Sequence, residues 1–327
     1  MDGSNPHREG LTTLHHDWTM IPAGKLVERQ TPVTIDSNTS IEDACEVLLS
    51  NGISAAPVFD EAKNSFIGMF DYGDLMAYIL ILLKKMDPPQ DQTLEMRDLI
   101  QKANNSQSVP VRLASDLSGK DPFCTVPSET RLGAVVNDFG TGIHRVAVMD
   151  GYQLKGMLTQ SLTLDFIMRH LGEFPKLQAV MQTTLHACGL DHSNVLSVNG
   201  NAPVLDALVK MSSNSVSSLA VLDDQGILLG NISMTDIQHV MKHLKSSWLW
   251  ISCFQFISKI RLSRGVETGE DQYPVLDVSA GSTFGYTLLK LQATKVHRLW
   301  VVQDNGSVAG VVSLTDVFRV LSKLIDN

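Results

Sequence analysis

At 327 residues the chain has room for about two domains of ordinary size. It is acidic, with a net charge of −9, and 43% of its residues are hydrophobic. That balance argues against nucleic acid or an anionic membrane as the main partner, because both reward clustered Lys and Arg. Cys45, Cys124, Cys188 and Cys253 stand far apart with no Cys-x-x-Cys pair, which fits reduced intracellular thiols better than a disulfide framework.

The first ten residues, MDGSNPHREG, are polar and carry no secretory signal. Residues 1–19 are expected to form a flexible N-terminus of a cytoplasmic or nuclear protein. A short strand at Val33-Thr34-Ile35 then leads to Thr39-Ser40, a helix-capping pair ahead of the apolar-periodic stretch Ile41 to Leu49. Residues 53–78 (ISAAPVFDEAKNSFIGMFDYGDLMAY) read as strand, acidic turn, strand and helix. The run LMAYILILL, Leu75 to Leu83, is nine residues long where a membrane span needs about 20, so a buried packing helix is expected. Residues 84–122 form a long insertion with one short helix, Leu94 to Ala103, among polar loops.

The same order then recurs. Cys124-Thr125-Val126 and Thr130 precede an apolar run through Val136, followed by residues 143–168 (IHRVAVMDGYQLKGMLTQSLTLDFIM). Leu196-Ser197-Val198 and Ala202-Pro203 precede Val204 to Met211, followed by residues 216–241 (VSSLAVLDDQGILLGNISMTDIQHVM). Leu276-Asp277-Val278 and Gly281-Ser282-Thr283 precede Phe284 to Leu291, followed by residues 296–321 (VHRLWVVQDNGSVAGVVSLTDVFRVL). Gly68, Gly156, Gly230 and Gly310 align across the copies at intervals of 88, 74 and 80 residues. Each unit therefore reads strand, helix, strand, turn, strand, helix, and four units cover nearly the whole chain. The turns Asp223-Asp224-Gln225-Gly226 and Asp304-Asn305-Gly306-Ser307 have hairpin chemistry. One such unit has too little core to stand alone, so the units should pair through sheets and helices.

This pattern resembles the CBS repeat, named for cystathionine β-synthase, and the third and fourth units resemble it closely. The resemblance implies an α/β (α+β) fold with four CBS repeats arranged as two head-to-head pairs in a disc. The first pair is expected over residues 20–172 and the second over 173–327.

Two positions of the unit carry candidate chemistry. An Asp opens the last helix in three units, Asp74, Asp236 and Asp316, while Leu162 takes its place in the second. Its carboxylate can accept from both hydroxyls of a ribose, and the helix N-terminus favours an anion. In families with this repeat the Asp anchors a ribose; the alternative is a plain helix cap. Ser233, Thr235, Ser313 and Thr315 lie beside it, whereas Asp71-Tyr72-Gly73 replaces that Ser-x-Thr in the first unit. The other position starts the second strand, where two units carry His144-Arg145 and His297-Arg298 against Ser54-Ala55 and Ser217-Ser218. In similar four-repeat proteins such residues face a central hole and hold nucleotide phosphates; the alternative is an Arg packed over a strand edge. At most three clefts should then hold a nucleoside.

No catalytic constellation is present: no Gly-x-Ser-x-Gly elbow, no Walker loop, no His-Glu-x-x-His. His239 and His243 have helical i, i+4 spacing without a third ligand in sequence, so a solvated helix face is expected and no metal. His15-His16 lie in the polar N-terminus, and His186 and His192 lie in a connector. Trp248 and Trp250 are expected to pack against a helix. The reading is a non-enzyme without cofactor, with AMP, ADP or ATP as regulatory ligand.

Four CBS repeats with little else resemble two related groups. One is the γ regulatory subunit of AMP-activated, SNF1-type kinases, which implies kinase α and β subunits as partners. The other is the fungal sds-type inhibitors of type-2A-like protein phosphatases, which implies a phosphatase catalytic subunit and a role in cell-cycle and nutrient signalling. The stretch Ser263 to Gly269 with Asp271 and Tyr273-Pro274-Val275 favours the second group. So do Ala293-Thr294-Lys295 before His297-Arg298-Leu299-Trp300, and Gly230-Asn231-Ile232-Ser233. Members of that group often carry a long insertion in the last unit, where this chain has the tight turn from Gln303 to Gly310. A CBS scaffold without ligand is the third reading.

Overall fold

The computed structural model describes residues 17–85, 93–105, 107–242, 246–268 and 276–325. His15, His16, His243 and the segment 269–275 lie outside these residues. Among the described residues there are four three-stranded sheets, one per repeat. In the first unit, β1 (Ile35–Asp36) runs parallel to β2 (Ala55–Asp60), which runs antiparallel to β3 (Ser65–Asp71). The second sheet is β4 (Thr125–Pro127), β5 (Arg145–Asp150) and β6 (Gln153–Thr159). The third is β7 (Ser197–Asn199), β8 (Ser218–Leu222) and β9 (Leu228–Ser233), and the fourth β10 (Asp277–Val278), β11 (Arg298–Val302) and β12 (Val308–Ser313).

Twelve helices accompany them among the described residues: α1 (Ala23–Val27), α2 (Ile41–Ser50), α3 (Tyr72–Leu82), α4 (Thr93–Asn104), α5 (Leu132–Thr141), α6 (Gln160–Arg169), α7 (Pro175–Met181), α8 (Val204–Ser213), α9 (Ile237–Lys242), α10 (Cys253–Thr268), α11 (Phe284–Thr294) and α12 (Leu314–Ser322). The helix expected within the insertion is α4. Of the expected N-terminal segment, residues 17–19 are described, and Trp18 there is 4% exposed beside α5.

Each unit's last two strands slip register at the same place. The shift falls after Val58, Val148, Val221 and Val301, the residues opposite Gly68, Gly156, Gly230 and Gly310. A foreign segment lies flat on the sheet at each of these glycines. Ser115 and Asp116 cross Gly68, while Val27 and Gln30 cross Gly156, where an added Cβ would lie 2.7 Å from Val27 Cβ. Ile257 and Arg261 of α10 cross Gly230, and the Asp191 carbonyl would lie 3.1 Å from a Cβ at position 310. The repeated glycine therefore marks a bulge over which another stretch of chain passes.

Those crossing segments join the units in sequence order. The segment before the first unit packs on the second sheet, where Gln30 exchanges two hydrogen bonds with the Met157 backbone at 2.9 and 3.1 Å. The connector before the third unit reaches the fourth sheet, where Val311 N donates to Ser193 Oγ at 3.0 Å. The turns of the third and fourth units meet at Ile227 and Ser307.

The helices join the units in a different order. In α12, Leu314, Val317, Phe318 and Leu321 are buried at i, i+3, i+4 and i+7, and in α5 Leu132, Val135, Val136 and Phe139 follow the same spacing. The two helices pack together, with the rings of Phe139 and Phe318 edge to face at 5.3 Å, an arrangement worth about 0.5–1.5 kcal/mol beyond area burial. One apolar core thus combines the second and fourth units. The other combines the first and third, with α3 packed against α8 and α9. Four units, each touching two neighbours, close into a disc. The apolar run of α3 is explained by this: it is buried nearly all round, and no described helix is long and apolar enough to cross a membrane.

Candidate functional site

Strand starts and helix starts from all four units converge at the middle of the disc. Arg298, opening β11, donates from Nη2 to Ser217 Oγ at 2.7 Å and from Nη1 to Ser218 Oγ. Its guanidinium faces the carboxylates of Asp236 and Asp316; enclosure by protein lowers its pKa to about 10 against their opposing pull. His297, next to it, is exposed to solvent. Enclosure first, then the charges of Arg298, Arg145 and His144, draw its pKa down to about 4, with Asp121 opposing. The two basic pairs singled out in sequence thus come together from the second and fourth units.

The acidic positions share a local geometry and differ beyond it. Each Asp closes a capping box at the start of its helix. Asp316 Oδ2 accepts from Ser313 N at 3.0 Å and Ser313 Oγ at 2.6 Å, while Asp316 N donates back to Ser313 Oγ at 3.2 Å. Asp236 Oδ2 accepts from Ser233 N and Oγ, both at 2.8 Å. Asp74 Oδ2 accepts from Asp71 N at 3.0 Å, and Asp71 Oδ1 accepts from Gly73 N and Asp74 N. The second oxygen separates them: Asp316 Oδ1 accepts from the exposed Arg319 at 2.6 Å, while Asp74 Oδ1 accepts from the Ser118 amide at 2.8 Å. Asp74 is 2% exposed, and burial followed by repulsion from Asp71 raises its pKa well above the carboxylate range.

The hydroxyls are committed. Ser233 and Ser313 serve the boxes, Thr235 Oγ1 lies 2.9 Å from Ser233 Oγ, and Thr315 Oγ1 accepts from Gln160 Nε2 at 3.0 Å. Gln160, 4% exposed at the start of α6, also donates to the carbonyls of Phe139 and Ile143 at 3.2 and 3.1 Å. Thr159 caps that helix through Leu162 N at 3.1 Å, so the second unit has no carboxylate here.

Sequence reasoning missed a loop between the first two units. Asp121 Oδ1 lies 2.6 Å from His144 Nδ1 and its Oδ2 lies 3.7 Å from Arg145 Nη2. Burial pushes the Asp121 pKa up, but the His144 hydrogen bond and the Arg145 charge outweigh it and hold the carboxyl below its usual range. Lys120 Nζ donates across the disc to the carbonyls of Met211 and Val216 at 3.2 and 3.3 Å; burial lowers its pKa, with Asp71 and Asp121 opposing. Asp71, raised by burial with Arg145 opposing, completes the group. An Asp where the other units carry Ser or Thr was the one visible signal; the loop had none.

Elsewhere, Trp248 packs edge to face on Phe256 at 6.0 Å as expected, while Trp250 is 63% exposed and does not. His186 and His192 share the Asp191 carboxylate at 2.7 and 2.9 Å. Among the described residues no group of three or more His, Cys, Asp and Glu is placed to hold a metal ion.

The CBS domain model matches residues 25–81, 189–243 and 272–323. The second repeat, which lacks the helix-opening Asp, lies outside the match. Over 92% of its length the chain is 35% identical to Protein SDS23 of Yarrowia lipolytica. It is 34% identical over 93% of its length to Protein SDS24 of Saccharomyces cerevisiae. The chain spans 66% and 60% of those two relatives. Among solved structures, a Methanocaldococcus jannaschii protein proposed as an archaeal homologue of γ-AMPK superposes with a TM-score of 0.70 at 14% identity, covering 92% of this chain and 100% of that one. That likeness concerns the fold alone.

Proposed function

The chain belongs to the CBS-domain family, and on that footing we propose that it is a non-catalytic regulatory protein that binds an adenine nucleotide between its third and fourth repeats. Its partner on this reading is a type-2A-like protein phosphatase catalytic subunit, which it inhibits as sds-type proteins do. The observation that carries the nucleotide reading is Arg298, whose guanidinium donates to the Ser217 and Ser218 hydroxyls and feels the carboxylates of Asp236 and Asp316 at two helix starts. A phosphate is a better partner for it than two neutral serines, since charged hydrogen bonds are worth about 1.5–3 kcal/mol each. The ribose hydroxyls would take the outer oxygen of Asp316, displacing the exposed Arg319. His297 would add charge when a phosphate beside it favours its protonated form. Asp74 is a poor anchor, because the loop amide of Ser118 already holds its outer oxygen.

Sequence kinship favours the phosphatase partner; the second reading is a γ-type kinase subunit meeting α and β chains. Calorimetric titration with AMP, ADP and ATP, repeated on Asp316→Ala and Arg298→Ala, tests the ligand. Micromolar binding lost in both variants supports it, and no binding to any of the three leaves a CBS scaffold. Pull-down against phosphatase catalytic subunits and kinase α/β subunits, with and without nucleotide, separates the partners.

A further inference from the structure

We propose that the loop joining the first two repeats is a built-in occupant of the first half's cleft, with residues 118–121 standing where a nucleotide's ribose and phosphate would lie. This rests on the nucleotide reading of the second half, and the two halves compared position by position carry it. In the second half the outer oxygen of Asp316 accepts from Arg319 of its own helix, and Arg298 donates to the Ser217 and Ser218 hydroxyls under the pull of the Asp236 and Asp316 carboxylates. In the first half the counterparts of Asp236 and Arg298, which are Asp74 and Arg145, are both engaged by one loop. The Ser118 amide donates to the outer oxygen of Asp74, as a ribose hydroxyl would. Three residues on, the Asp121 carboxylate lies on His144 and Arg145, as a phosphate would. The chain itself thus supplies a donor to Asp74 and an anion to His144 and Arg145.

The loop is fixed at several other points. Ser115 Oγ donates to the Met69 carbonyl at 2.9 Å, and Asp116 Oδ1 accepts from Met69 N at 3.0 Å over the bulge at Gly68. Lys120 ties it to the carbonyls of Met211 and Val216 in the third unit. Asp121 is only 8% exposed, so an entering phosphate would have to displace a buried carboxylate from its partners. Each charged hydrogen bond forfeited weakens entry by about tenfold or more. The consequence is asymmetry: nucleotide goes to the second half, while the first is locked and couples the first and third units through Lys120.

The test is calorimetric titration of the full chain with AMP and ATP, comparing wild type with Asp121→Ala, Asp121→Asn and the double variant Asp121→Ala/Arg145→Ala. Removing the internal anion frees Arg145 and His144, so Asp121→Ala should gain one site over wild type. Adding Arg145→Ala to Asp121→Ala should remove the gained site again. Wild-type stoichiometry in both Asp121 variants, with thermal melts showing them folded, overturns the proposal. So does a gained site that survives in the double variant. A wild type that binds no nucleotide defeats the reading of the second half alone; the loop proposal is then decided by whether Asp121→Ala acquires binding.

Discussion

Arg298 donates to the Ser217 hydroxyl at 2.7 Å across a sequence separation of 81 residues, placing a strand start of the fourth repeat against the same strand start of the third. Equivalent positions of two copies thus carry complementary groups, a donor in one and acceptors in the other. Arg298→Ala should weaken ATP binding by about tenfold or more, with a smaller loss for AMP, because the lost contacts are those to phosphate. Arg298→Lys should recover only part, since an ammonium cannot reproduce the fork. Calorimetry on the three proteins decides this; equal affinities would mean that the guanidinium only ties the two units together.

His297 makes stability depend on pH. Its pKa falls from 6.5 in a free chain to about 4 in the fold, through enclosure and then the charges of Arg298, Arg145 and His144. The unfolded chain takes up the proton first, so native stability is unaffected by this residue above about 6.5 and declines as pH falls towards 4. Urea unfolding of His297→Gln should decline less over that window. Nucleotide binding near pH 6 should take up protons, read as a dependence of the calorimetric heat on buffer.

Gln160 joins the second unit to the fourth through Thr315, and its removal also leaves the carbonyls of Phe139 and Ile143 in its own unit without this donor. Gln160→Ala should cost about 1–3 kcal/mol, measured as a lowered urea midpoint. An unchanged midpoint would show that water replaces the amide.

Gly156 cannot carry a side chain without moving Val27 or Gln30, whose atoms would lie 2.7 and 2.6 Å from a new Cβ. Gly156→Val should destabilise by about 1–3 kcal/mol and lower the thermal midpoint. Limited proteolysis should show the segment before the first repeat released from the second sheet.

Burial raises the thiol pKa of Cys45 and Cys253 to about 12, whereas Cys124 and Cys188 are partly exposed. An Ellman titration at pH 8 should count Cys188 and Cys124 in the native protein, and the other two only after denaturation.

The units themselves were legible in sequence because their signals are local. Thr283 caps α11 and Ser40 caps α2 as their positions predict, and the apolar spacing of α5 and α12 marks the buried faces. The basic pairs were legible for the same reason, since two copies stand at one strand position. Which helices would meet was not, because the faces of α5 and α12 are chemically interchangeable with those of α3 and α8. Asp121 was invisible for a related cause: its partners His144 and Arg145 lie 23 and 24 residues away in sequence, and an acidic residue in a polar loop has no signature of its own.

The crossed cores impose an order on synthesis. The apolar helix α3 emerges from the ribosome early, but its partners α8 and α9 end at Lys242. At translation rates of about 5–20 residues per second the delay is on the order of ten to thirty seconds. A nascent chain halted at the midpoint would hold half of each core and complete neither. Such a chain has no independently folding first half, and its early helices need shelter from aggregation until the third repeat arrives.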